Sequence, residues 1–81
     1  MNIFVANIDF TVREGDLKAQ FESFGEVSSS KIITDKDTGR SKGYGFVEMQ
    51  NQDEGLNAVK DLNGKELKGR ALVVKISKPN N

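Results

Sequence analysis

Apolar and polar residues alternate from Asn2 to Asn7. Ile3 and Val5 take one side and Asn2, Phe4 and Ala6 the other, the period of a half-buried strand. Asn7-Ile8-Asp9-Phe10 then reads as a loop anchored by Ile8 and Phe10. Thr11 followed three residues later by Glu14 has capping-box spacing, with Arg13 as a poorer competing cap. Leu17, Phe21 and Phe24 follow at helical spacing, which predicts an amphipathic helix of about a dozen residues. Gly25 is expected to end it as a left-handed cap. Gly15 in the first turn costs about 1 kcal/mol relative to alanine.

Residues 27–34 read as a second strand, weakened by three serines, with Ser30 and Ile32 on one face and Lys31 and Ile33 on the other. A charged polar turn follows over residues 35–41. Residues 42–49 form a third strand. Asn51 is a good N-cap for a second helix, with Asp53 and Glu54 in its first turn. Leu56, Ala58, Val59 and Leu62 form that helix's apolar stripe, and Asn63-Gly64 ends it. Leu67 and a Lys68-Gly69-Arg70 turn lead to a last strand from Ala71 to Ser77. In it Leu72, Val74 and Ile76 face inward and Ala71, Val73 and Lys75 outward. Lys78-Pro79-Asn80-Asn81 is expected to fray.

The order strand, helix, strand, strand, helix, strand is the split βαβ arrangement. Right-handed crossovers put both helices on one face of a four-stranded antiparallel sheet, an α+β, ferredoxin-like βαββαβ sandwich.

Composition narrows the chemistry. Eighty-one residues hold one domain. There is no cysteine for a disulfide or thiolate metal site, and no histidine as general base or metal ligand. No cofactor or metal is expected. No stretch has the length of a signal peptide or membrane span, which leaves a cytoplasmic protein as the simplest expectation. Twelve basic residues balance twelve acidic ones. Net charge therefore does not argue for a polyanion, although Lys31, Lys42, Lys75 and Lys78 can gather on one face.

The octamer Lys42-Gly43-Tyr44-Gly45-Phe46-Val47-Glu48-Met49 carries the candidate chemistry. On a strand, Lys42, Tyr44, Phe46 and Glu48 share one face, and Gly43, Gly45, Val47 and Met49 the other. Rings bare on a sheet invite a flat partner, and base-on-aromatic stacking contributes about 1–3 kcal/mol per base. Lys-Gly-Tyr-Gly-Phe-Val resembles, position by position, the octamer of the RNA recognition motif. Ile3-Phe4-Val5-Ala6-Asn7-Ile8 resembles the hexamer of the same family, and the likeness runs from Asn2 to about Lys78. The chain is similar to small single-domain bacterial RNA-binding proteins and to the domain of plant glycine-rich RNA-binding proteins.

The resemblance implies a domain over residues 1–78, a disordered tail over 79–81, and hexamer and octamer strands side by side at the sheet centre. It implies that Phe4 and Tyr44 stack two bases, that Phe46 packs on ribose, and that Lys42 meets a phosphate. Lys75, Ser77 and Lys78 match the last-strand contact set, with Asn2, Lys31, Ile33 and Val73 as second-tier contacts. Lys36 and Arg40, in the turn, can approach phosphates. Phe10, Phe21 and Phe24 read as core or loop anchors. Met49 stands where the family has Phe or Tyr, but points inward. Ala6 replaces a common glycine, and Glu48 on the open face would repel phosphate.

Single-stranded RNA is the partner so implied, with single-stranded DNA open, no membrane, and a monomer expected. A protein-interaction module of the same fold is the alternative. A ferredoxin-like enzyme such as an acylphosphatase needs a phosphate cradle around Arg13 that the sequence lacks, so no catalysis is expected.

Overall fold

A computed structural model of the protein describes residues 1–77. Its elements are β1 (Asn2–Ala6), α1 (Glu14–Glu22), β2 (Val27–Thr34), β3 (Ser41–Met49), α2 (Gln52–Leu62), β4 (Glu66–Leu67), β5 (Arg70–Ala71) and β6 (Val73–Ser77). Four strands form one antiparallel sheet in the order β2-β3-β1-β6, the α+β sandwich expected from the element order. The strands carrying the hexamer and the octamer are the two central ones.

Ile3, Val5, Val47, Met49 and Val74 point from the sheet into a core closed by Leu17 and Phe21 of α1 and Ala58 and Leu62 of α2. Met49 is fully buried, so its departure from the family pattern is a packing matter. The thioether fills such a site readily.

Several boundaries differ from those read in the sequence. The helix α1 is N-capped at Arg13, whose backbone N–H donates to Asp16 Oδ2 at 3.0 Å. The Thr11–Glu14 capping box does not form. Asp9 Oδ1 accepts both the backbone N–H (2.9 Å) and the hydroxyl (2.6 Å) of Thr11, and the helix starts later. Glu14 instead accepts the Ile32 N–H at 3.0 Å. Strand β2 is an edge, and this contact occupies one of its outward donors.

At its other end α1 stops after nine residues. The Phe24 N–H bonds the Phe21 carbonyl at 3.0 Å, a tightened last turn, and Gly25 is not left-handed. Glycine serves there because a Cβ would lie 2.9 Å from the Glu54 Cβ.

In α2, Asn51 caps as expected, its Oδ1 accepting the Glu54 N–H at 2.9 Å. The buried stripe is rotated from the expected one. Gly55, Ala58 and Leu62 are buried and Leu56 is exposed, because the bare Gly55 admits the Met1 side chain.

The expected last strand is broken. Arg70 and Ala71 pair with Leu67 and Glu66 in a separate hairpin, and β6 begins at Val73. Ile76 faces the helix side beside Ile3, as its period predicts, yet remains 47 % exposed: β6 is the far edge of the sheet, and burial there stops at Val74.

Candidate nucleic-acid interface

The register of the sheet decides which side chains meet. Phe4 in β1 lies opposite Phe46 in β3 and Lys75 in β6, and Phe46 lies opposite Lys31 in β2. One transverse row thus reads Lys31, Phe46, Phe4, Lys75, two rings flanked by two cations. The next row places Tyr44 beside Ala6 and Val73, and the row on the other side runs Ser29, Glu48, Asn2, Ser77. Eight of the residues expected at the site therefore share one surface: Asn2, Phe4, Lys31, Tyr44, Phe46, Val73, Lys75 and Ser77.

Their core-facing neighbours explain why. Ile3, Val5, Val47 and Val74 are buried, so strand alternation turns the intervening residues away from the helices. Phe4 and Tyr44 are half-buried and Phe46 is 37 % exposed. The rings support one another at centroid distances of 5.6 Å (Phe4–Phe46), 6.0 Å (Phe4–Tyr44) and 6.4 Å (Tyr44–Phe46). They are mutually tilted, the Tyr44–Phe46 pair standing edge to face at 87°. The surface is a set of steps rather than a flat floor. Contacts of this kind add about 0.5–1.5 kcal/mol each beyond area burial.

Lys42 reaches the same surface by a different route from simple alternation. The β2–β3 register shifts between Ile32 and Thr34, opposite a stretch in which Gly43 takes φ +84°. A residue with a Cβ rarely adopts that conformation. The bulge leaves Lys42 exposed beside Tyr44 and Phe10, lining a cleft. Ile33 lies at the bulge, half-buried.

Arg40 does not join the rows. It borders a groove with Thr11, Arg13 and Ser41 that Lys31 and Phe10 also line. The turn before it is fixed by Asp35, whose Oδ1 accepts the N–H groups of Asp37 (2.8 Å) and Thr38 (3.1 Å). Those bonds hold the Asp35 carboxyl below its ordinary pKa. Lys36 is exposed in this turn, and Lys78 lies outside the described residues.

The sequence pattern makes Phe10 a loop anchor, and the structure differs. Phe10 is 65 % exposed, whereas Phe21 is buried and Phe24 packs against the core. The reason is local. Asp9 binds Thr11 in a tight turn, and Ile8 occupies the inward position before it, so Phe10 is tipped outward. The sequence carried this signal in Asp9 and Thr11 flanking the ring. The Asp9 carboxyl is held below its ordinary pKa first by the Thr11 hydroxyl and then by the Thr11 N–H, with Arg70 and Lys68 adding attraction. This turn is favoured above the ordinary carboxylate value of 3.8 and loosens as pH falls through the lowered one.

The model of the RNA recognition motif family matches residues 3–73. Among curated relatives, glycine-rich RNA-binding protein 4, mitochondrial, of Arabidopsis thaliana is 41 % identical over 75 residues, 93 % of this chain and 55 % of that protein. The chain thus spans about half the length of that relative. The crystal structure of RNA binding protein PG1 superposes with a TM-score of 0.92 at 43 % identity, covering 99 % of both chains. A complex of Sex-lethal protein with RNA gives a TM-score of 0.92 at 29 % identity, over 99 % of this chain and 48 % of that one.

Proposed function

The chain belongs to the RNA recognition motif family, and we propose that its open sheet face binds single-stranded RNA by stacking bases. Phe4 and Tyr44 take the bases, and Phe46 packs on the sugar between them. Lys42, Lys31 and Lys75 meet phosphates, and Asn2, Ser77, Val73 and Ile33 border the path. One domain over residues 1–78 acts as a single copy and binds without catalysis. Lys78 and Arg40 are further contact candidates at the margins.

The observation that carries this reading is the row Lys31, Phe46, Phe4, Lys75 with Tyr44 beside it. Rings bracketed by cations match a strand of alternating bases and phosphates. A surface meant for a helix or a protein core would have no use for the flanking lysines. The relatives support it by name, as RNA-binding proteins and as an RNA complex. A location in the cytoplasm is part of the proposal. Among the described residues no helix is long and apolar enough to cross a membrane, and the Arabidopsis relative is named as mitochondrial.

Titration with short single-stranded RNA, the matching DNA and the matching RNA duplex tests the proposal. Single strands are expected to bind and the duplex to bind at least tenfold more weakly, because paired bases present no free face. Three lysine–phosphate contacts at about 0.7 per phosphate give a slope of log K on log salt near −2. A steeper slope, beyond about −3, or preference for the duplex would contradict stacking-led binding.

A further inference from the structure

The loop between β1 and α1 meets the β4–β5 hairpin at one corner of the open face. Asn7 joins them: at φ 57° its Nδ2 donates to the Ala71 carbonyl at 2.8 Å, and its Oδ1 accepts from Arg70 Nη1 at 3.3 Å. Asp9 Oδ2 lies 3.8 Å from Arg70 Nε. These contacts set the guanidinium over the Phe10 ring, with Cζ 5.6 Å from its centre. Phe10 is the most exposed of the large apolar side chains described. It belongs neither to the core cluster nor to the apolar residues packed against it.

Between Phe10 and Tyr44 runs a cleft lined by Lys42, Gly43, Ile8 and Arg70. Gly43 lines it at φ +84°, a conformation that a residue with a Cβ rarely adopts, and its Cα side faces the Ile8 carbonyl and Phe10. The cleft continues the line of the sheet rings, and Phe10 stands at its far wall.

The geometry points to a further base position at this corner: the nucleotide adjacent to the one on Tyr44 stacks on Phe10, and the Arg70 guanidinium covers its other face. This rests on the reading that the sheet rings bind single-stranded RNA, and it lengthens that site by one nucleotide. The free separation of 5.6 Å is too small for an inserted base, since two stacking contacts need about 7 Å. Arg70 therefore moves outward by roughly 1.5 Å on binding. Its side chain is 47 % exposed and its ion pair is a surface one, so the movement costs little. A planar guanidinium can stack on a base, and an ammonium cannot.

The test compares randomised RNA dinucleotides with randomised hexanucleotides, for wild type and for Phe10→Leu, Arg70→Ala and Arg70→Lys. Leucine keeps apolar bulk at an exposed position, and thermal melting checks that each variant folds. Phe10→Leu and Arg70→Lys are expected to weaken hexanucleotide binding about tenfold and to leave dinucleotide binding unchanged. Unchanged hexanucleotide affinity in Phe10→Leu overturns the inference while leaving the sheet site intact. So does a loss in Arg70→Ala that Arg70→Lys restores, which means charge alone. Wild type binding neither RNA defeats the sheet reading itself, and the extra position with it.

Discussion

Replacing Tyr44 and Phe46 together by alanine is expected to remove most RNA binding while the core still holds the chain folded. Each ring lost from a base-stacking surface costs about 1–3 kcal/mol, so two cost about 2–6 kcal/mol. At 1.4 kcal/mol per decade, even the lower value is near thirtyfold, and the upper value takes a weak complex out of range. Phe4 remains and should leave a residual, weak site. Both replaced side chains lie on the open face, outside the fully buried core of Ile3, Val47, Met49 and their partners. The fold should lose the three ring–ring contacts, about 1.5–4.5 kcal/mol together, and the rings' partial burial. Circular dichroism and urea unfolding check the fold, and titration with single-stranded RNA checks affinity. Unchanged affinity in a folded double variant would remove the rings from the site.

Phe21→Ala should do the reverse. Phe21 is fully buried, where α1 meets the sheet, and it heads the large side chains with no exposure. Removing so large a buried side chain costs about 3–5 kcal/mol through lost transfer and the cavity left behind. Small domains hold about 5–15 kcal/mol in total, and this one has no disulfide to limit the unfolded chain. With a urea dependence near 1–1.5 kcal/mol per molar, the midpoint should fall by about 2–5 M. The fraction still folded should bind RNA with unaltered affinity, since Phe21 lies on the helix side of the sheet. A shift under 0.5 M would mean that α1 is not the clamp the core requires.

The strands carrying the rings were legible in the sequence because their alternation is strict. Ile3 and Val5 fixed the face of Phe4, and Val47 and Met49 that of Phe46. The row itself was not legible. The alignment of Lys31 and Lys75 with the two rings comes from register across four strands, and register is set by bulges and turns far from those residues. Capping at α1 departs from the sequence pattern for a local reason: Asp9 outcompetes the helix for Thr11. The stripe of α2 shifted to Gly55 because a glycine gave up its volume to Met1, and pattern reading assigns glycine to no face. Ile76 obeyed its period and still remained exposed, since a period gives direction and not coverage. Phe10 failed in the opposite sense. Aromatic content suggested an anchor, and a two-residue turn made it a surface ring.

Tyr44 is the single tyrosine of a chain without tryptophan, so its emission reports on one ring of the proposed surface. The decisive measurement is that emission during titration with short single-stranded RNA, alongside calorimetry of the same mixture. Stacking predicts saturable quenching whose midpoint coincides with the calorimetric one. Binding that saturates by calorimetry while Tyr44 emission holds constant would place the RNA elsewhere on the protein and contradict the account.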